Sequence, residues 1–253
     1  MEVEFLGTGT SFGVPQIGCD CEVCHSDDPR DQRLRTSAIV RVKGINILID
    51  CGPDFRQQIL RASDSKLDAL LLTHIHYDHI GGVEDLRPYC LNKYFDIYAQ
   101  PEVVNGIRER LPYCFAELRY PGVPYFELHS LDYNPFKISD VEIIPLPVFH
   151  HKLEIFGYRI GKMAYITDCK YMPDTTLEKL KGIDTLFINA LRFREHFSHL
   201  SVGEALDLIE KIKPRKAYLI HMGHGIGLHK ETNLLLPEHV ELAYDTQIIH
   251  IED

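Results

Sequence analysis

The chain has 253 residues, with 27 lysines and arginines against 37 aspartates and glutamates, a formal net charge of −10. Hydrophobic residues at 45% and charged residues at 25% are globular averages, which excludes collagen, coiled-coil and low-complexity chains and allows one sizeable core. No stretch approaches the roughly 20 apolar residues of a membrane span, MEVEFLGTGT is acidic where a secretory leader is basic, and the negative balance disfavours a broad nucleic-acid surface, so a cytoplasmic protein without a membrane partner is expected.

Short β-rich runs recur: VEFL near the start, INILID (45–50), ALLLT (69–73), MAYITD (163–168), TLFIN (185–189), KAYLIH (216–221) and QIIHI (247–251). Most are apolar throughout, as strands covered on both faces are. Helical signals fall between them. The clearest is Ser201-Val-Gly-Glu204, a capping-box pattern that opens an amphipathic run through Ile212 and is stopped by Pro214. The alternation is that of an α/β fold. Residues 85–135 are rich in Tyr, Pro and Arg with weaker periodicity, and read as helices and loops covering one edge. Gly7-Thr-Gly9-Thr lacks the phosphate-loop patterns and reads as a strand-end turn close to the functional centre. No repeat or linker divides the chain, so residues 1–253 are expected to form one domain.

ALLLT leads directly into His74-Ile-His76-Tyr-Asp78-His79-Ile-Gly-Gly, four potential metal ligands within six residues. In extended chain, residues i and i+2 face one side, so His74 and His76 can hold one cation while Asp78 and His79 turn to a second. Packed together without a cation, these four groups would be costly to desolvate. The missing ligands must come from elsewhere, and His150, Asp168 and His221 each stand at the end of another apolar run. His151 follows His150, and spacing alone leaves the choice between them open.

This pattern resembles the metallo-β-lactamase fold hydrolases, over the whole chain. The resemblance implies a four-layer αββα sandwich in which His74, His76 and His150 hold one metal, Asp78, His79 and His221 hold a second, and Asp168 bridges both. His150 is the implied ligand because HHKLEIFGYR is similar to HGKLxxxGYR, with His151 in the place of a glycine. Asp50, in LIDCGPD, resembles the buried acid that orients a ligand histidine. A bridging carboxylate keeps two metals roughly 3.5 to 4 Å apart, the spacing of two-metal phosphoesterases, whose shared hydroxide attacks phosphorus.

Cys19-Asp-Cys21-Glu-Val-Cys24 supplies three thiolates in six residues, which fits a structural zinc better than disulfides. Adjacent side chains seldom converge on one ion, so His224 is favoured over His25 as the fourth ligand, and this zinc would staple the loop around 19–24 beside the metal pair. Cys51, Cys90, Cys114 and Cys169 lack such spacing and read as core or surface thiols.

Together, GTGTSFGVPQIGCDCEVC, RLRTSAIV, LIHMGHG and VELAYD narrow the resemblance to the PhnP-type phosphodiesterases, although the PqqB type carries a similar cysteine cluster. The expected activity is hydrolysis of a small or cyclic phosphodiester, similar to phosphoribosyl cyclic phosphate. It needs two divalent ions, zinc or manganese, besides the structural zinc. Asp78 and His199 are the catalytic candidates: His199, ahead of the capped helix, is preferred to His196 because its position resembles that of the branch's proton-donating histidine. Arg35 and Arg87 are candidate phosphate or sugar contacts, since guanidinium pairs bidentately with phosphate. The alternatives are a tRNase Z-like RNA endonuclease and a carboxylic ester or thioester hydrolase on the same fold. A homodimer is suggested by family likeness alone.

Overall fold

A computed structural model describes residues 1–91, 93–118 and 120–252. Among the described residues the strands are β1 (Glu2–Gly7), β2 (Ser37–Val42), β3 (Ile45–Ile49), β4 (Ala69–Leu71), β5 (Phe95–Ala99), β6 (Phe126–Ser130), β7 (Phe136–Ile138), β8 (Val141–His150), β9 (Leu153–Ile160), β10 (Met163–Ile166), β11 (Thr185–Asn189), β12 (Lys216–Ile220), β13 (Val240–Leu242) and β14 (Ile248–His250). The helices are α1 (Phe55–Arg61), α2 (Tyr77–Ile80), α3 (Pro101–Arg110), α4 (Asp174–Lys179), α5 (Val202–Ile212) and α6 (His229–Asn233). Two seven-stranded sheets result, in the orders β14-β1-β2-β3-β4-β5-β6 and β13-β12-β11-β10-β9-β8-β7.

Side chains alternate across a strand with a period of two, and here both faces are apolar. In β10, Met163 and Tyr165 enter the core between the sheets, while Ala164 and Ile166 enter the core that α5 covers with Val202, Ala205 and Ile209. In β4 and the residue after it, Ala69 and Leu71 face the other sheet, while Leu70 and Leu72 face the core that Val103, Val104 and Ile107 of α3 help to close. Three cores between four layers make the αββα sandwich. Helix α5 has both reciprocal bonds of its capping box, and it ends at Lys213 in the left-handed region, one residue before Pro214. Strand β8 tolerates Pro145 and Pro147 because β7 pairs only with its first residues, so beyond them β8 is an edge and the missing donors break no ladder.

One expectation needs correction. Residues 85–135 contain β5 and β6 as well as α3, and these strands extend the parallel half of the first sheet to its edge. Their alternation is hidden because the strands are short and only one face is fully apolar: in β5, Phe95, Ile97 and Ala99 are buried while Asp96 and Tyr98 are half-buried.

The sandwich also fixes the His74 segment from both sides. The buried phenol of Tyr158 on β9 donates to the Leu72 carbonyl at 2.6 Å, and the Phe156 amide donates to the Thr73 carbonyl at 3.1 Å. Both bonds cross from one sheet to the other at the end of β4.

A candidate metal centre beside a cysteine cluster

Three residues of the centre follow strands in the left-handed region: Asp50 after β3 (φ 59°), Asp168 after β10 (φ 53°) and His221 after β12 (φ 54°). Each such non-glycine conformation costs on the order of 1 to 2 kcal/mol and persists only where its surroundings hold it. The surroundings do. Asn189, at the end of β11, brackets Cys169 by accepting from its amide at 2.7 Å and donating to its carbonyl at 3.0 Å, which fixes the turn after Asp168. The Gly7-Thr-Gly9-Thr turn brackets Met222 likewise, with Met222 N donating to Thr8 O and Thr10 N to Met222 O, as expected of a turn beside the centre.

Hydrogen bonds set the histidine tautomers. Thr73 Oγ1 donates to Asp50, so Nδ1 of His74, 3.0 Å away, must donate to Thr73, leaving Nε2 as a lone pair. His79 Nδ1 donates to Asp50 Oδ2 at 2.7 Å, and His150 Nδ1 donates to the Ser198 carbonyl at 2.9 Å. All three imidazoles therefore have Nε2 as the free ligand atom, held by bonds at the opposite nitrogen. Asp50, Thr73 and the Ser198 carbonyl are thus the partners that hold these three rings.

The first group consists of His74, His76 and His150. His74 Nε2 lies 3.0 Å from His76 Nδ1, and the His76 and His150 ring centres are 5.1 Å apart. Of the adjacent histidines, His150 joins the group. His151 is exposed, stands at φ 56° in keeping with a glycine-like position, and lies against Phe197. The second group is Asp78, His79 and His221, whose ligand atoms lie within 4.8 Å of one another. Asp168, 2% exposed, has Oδ2 3.2 Å from His79 Nε2 and Oδ1 3.2 Å from His221 Nε2, both in the second group, and its carboxylate lies within 4.8 Å of the ligand atom of His74 in the first. It also shares a group with His150 and His199.

The chemistry fits cations. His79 Nε2 and His221 Nε2 are buried without a hydrogen-bond partner, a costly condition that a metal relieves. Burial alone would raise the carboxyl of Asp168, but His221 and His79 hold it well below its ordinary range; Asp78 is held down by His79 and His221 against the same burial cost. Burial pushes His74 far down, so it is neutral, as a ligand must be. Replacing Asp50 with Asn should keep the fold but misdirect His79, with metal affinity or kcat/KM falling roughly 10- to 100-fold. Metal titration followed by rate measurement checks this, and an unchanged affinity and rate would remove Asp50 from the orienting role.

The sulfurs of Cys19, Cys21 and Cys24 lie 3.1, 3.3 and 3.6 Å from His224 Nδ1, so these four side chains converge while His25 Nδ1 turns to the Cys21 carbonyl. Burial would raise the Cys21 thiol, but hydrogen bonds from the Cys24 amide, Cys19 and His224 bring it to about 6, whereas burial pushes Cys24 up to about 11. Val14, Val23 and Leu228 pack around the cluster. Cys51, Cys90, Cys114 and Cys169 are buried.

Two expected substrate contacts are engaged elsewhere. The guanidinium of Arg35 pairs with Asp54 at 2.9 Å and donates to the Ser11 carbonyl. Arg87 pairs with Glu84 at 2.7 Å and lines a pocket of about 550 Å³, beside Phe55 and Tyr89, that none of the centre's histidines enters. A different arginine reaches the centre: Arg192 lines a pocket of about 190 Å³ with His196, His199 and Phe12. It follows the apolar β11 run by only three residues, a strand-end position like those of the metal-site residues, and that position is its signal in the sequence.

Residues 45–222 match the family described as Beta-lactamase superfamily domain. The chain belongs to this family, and its double-sheet sandwich with a histidine and aspartate centre is that of a metal-dependent hydrolase. Within the family it is PhnP-like: a crystal structure described as a new diphosphatase from the PhnP family superposes with a TM-score of 0.93 and 38% identity, over 99% of this chain and 98% of that one. Zinc-bound PqqB from Methylobacterium extorquens shares the fold, with a TM-score of 0.79 and 18% identity over 99% of this chain and 100% of that one. An octanoyltransferase from Porphyromonas gingivalis is 46% identical over 97% of this chain, and this chain spans 50% of that protein's length. No helix among the described residues is long and apolar enough to cross a membrane.

Proposed function

We propose that the protein is a dinuclear metal-dependent phosphodiesterase acting on a small or cyclic phosphodiester of the phosphoribosyl cyclic phosphate kind. The observation that carries this reading is the position of Asp168, whose carboxylate lies 3.2 Å from His79 and His221 of one group and within 4.8 Å of ligand atoms of His74 and His150 of the other. His74, His76 and His150 would hold one divalent ion, zinc or manganese, Asp78, His79 and His221 the other, and Asp168 both. When bound, the pair would supply a nucleophile at neutral pH and positive charge to offset the negative charge building on the phosphoryl oxygens. A further zinc at Cys19, Cys21, Cys24 and His224 would be structural. The likeness to the PhnP-family diphosphatase supports phosphoryl chemistry.

The chain's own residues orient and protonate. Asp50, Thr73 and the Ser198 carbonyl hold three imidazoles with Nε2 inward. His199, 9% exposed and 3.6 Å from Asp168 through Nδ1, stands where the leaving oxygen can take a proton from it. Burial pushes its imidazole down to about 3, so the resting group is neutral, and negative charge arriving on the phosphate opposes that effect. His199→Ala should lower kcat by about 10²- to 10⁴-fold with a smaller effect on KM.

A second reading, acyl ester or thioester hydrolysis, is favoured by the octanoyltransferase likeness, although that name belongs to a protein of twice this length. One panel separates the two: a cyclic ribose phosphate, a chromogenic phosphodiester, precursor transfer RNA, an octanoyl thioester and a β-lactam, each with metal-loaded protein and with His199→Ala. Selective cleavage of the cyclic phosphodiester, lost in the variant, supports the first reading. Thioester turnover without phosphodiester turnover replaces it with the second.

A further inference from the structure

The Nδ1 atom of His199 lies 3.6 Å from Asp168 Oδ1, beyond hydrogen-bond reach, and is buried without a partner. The imidazole packs against the rings of His150, His196 and His221, at 4.6, 5.2 and 5.0 Å between centres. Its place is therefore set by packing and by the backbone on either side. The Ser198 carbonyl accepts from His150 Nδ1 at 2.9 Å, and the Leu200 amide donates to the Cys169 carbonyl at 2.9 Å. Both partners belong to the metal centre, since His150 is in the first ligand group and Cys169 follows Asp168.

A side-chain tie runs beside these bonds. The backbone of Lys170 is fixed next to His150, with its amide donating to the Phe149 carbonyl at 2.7 Å and the Phe149 amide donating to the Tyr171 carbonyl at 2.8 Å. From there Lys170 Nζ reaches Oε1 of Glu204 at 2.5 Å. The other oxygen of Glu204 accepts from the amide and the hydroxyl of Ser201, both at 2.8 Å. Glu204 therefore serves the cap of α5 with one oxygen and Lys170 with the other, and Ser201 stands two residues beyond His199. The pair joins the turn that carries Asp168 to the helix that opens just after the proposed acid.

Neither stability nor capping requires this arrangement. The side chains of Lys170 and Glu204 are 25% and 33% exposed, and ion pairs in contact with water contribute little to folding. A capping box works with glutamine at this position as well as with glutamate, so the cap needs neither the charge nor the lysine. What the pair does fix is a spacing. A proton donor must stand within hydrogen-bond reach of the leaving oxygen, and a displacement of about 1 Å can cost on the order of 10²-fold in rate.

We propose that Lys170 and Glu204 are positioning residues for His199: their ion pair locks the start of α5 onto the turn after Asp168 and so sets where the acid stands relative to the metal centre. The inference deepens the phosphodiesterase reading and rests on His199 as its proton donor. Neither residue touches the reacting atoms in this account. Each acts through the backbone that carries His199.

The test compares glycerol 1,2-cyclic phosphate, whose leaving alkoxide needs a proton, with bis(4-nitrophenyl) phosphate, whose nitrophenolate leaves without one, on zinc-loaded wild type, Lys170→Met, Glu204→Gln, Lys170→Arg and His199→Ala. Positioning predicts that Lys170→Met and Glu204→Gln each lower kcat for the cyclic ester roughly tenfold, hold KM and the nitrophenyl rate within about twofold, and keep the wild-type Tm and metal content, with Lys170→Arg close to wild type. Equal losses on both esters, no loss on the cyclic ester, a loss that comes with lower Tm or metal content, or a Lys170→Arg variant as slow as Lys170→Met would overturn the role. A second readout needs no turnover. In zinc-loaded protein with nitrogen-15-labelled histidine, the His199 ring signals, identified by their absence in His199→Ala, should shift in Lys170→Met and Glu204→Gln while those of His74, His79 and His150 hold; unmoved His199 signals would overturn the proposal. Should wild type cleave neither ester, or His199→Ala slow both alike, the reading of the acid in phosphodiester hydrolysis fails, and the ring signals alone decide whether the pair positions His199.

Discussion

Asp168→Ala should reduce kcat/KM by about 10³-fold or more, because one carboxylate serves both groups. The change removes the carboxylate 3.2 Å from His79 and from His221, both buried. Asp168→Asn is the sharper probe. It preserves shape and removes only the charge, so a comparable loss in the Asn variant assigns the effect to charge sharing rather than packing. The check is steady-state kinetics with metal content measured on the same samples. A variant with wild-type rate and full metal would show that the groups act without a bridge.

The second large effect is on stability. Cys24→Ser should lower the unfolding free energy by about 3 kcal/mol, since binding energy at a structural zinc is folding energy, and should lower Tm by roughly 6 to 12 °C for a domain of this size. The reason lies in what the cluster joins. Residues 19–24 have little apolar packing beyond Val14, Val23 and Leu228, and the cluster ties them to His224, 200 residues further along the chain. His224 lies three residues beyond His221, so loosening this tie should also lower metal-dependent activity. Calorimetry of wild type and variant, with zinc counted in each, tests it. Equal Tm and equal zinc content would reduce the cluster to three incidental thiols.

The parts of this architecture most legible in the sequence are those where one residue class does one job. Buried parallel strands such as MAYI and KAYLI are apolar on both faces and end in a polar residue, so strand and candidate ligand are read together. The capping box at Ser201 and the stop before Pro214 gave the limits of α5 for the same reason. Strands β5 and β6 were hidden because Asp96, Glu127 and His129 interrupt them on a half-covered face. Side chains whose role depends on a distant partner were harder. Nothing local distinguishes Arg35, bound to Asp54, from an arginine awaiting phosphate, and nothing local marks Asn189 as the clamp on Cys169. The choice between His150 and His151 needed geometry: one rotates into the centre on the Ser198 carbonyl, and the other occupies a left-handed position at the surface.

The central claim is that the two groups hold a pair of metals joined through Asp168. Anomalous diffraction from crystals grown with manganese and zinc addresses it most directly. The account predicts two peaks, one on each side of the Asp168 carboxylate, and a third, zinc only, among Cys19, Cys21, Cys24 and His224. A single peak at the centre, or two peaks that Asp168 does not touch, would contradict it.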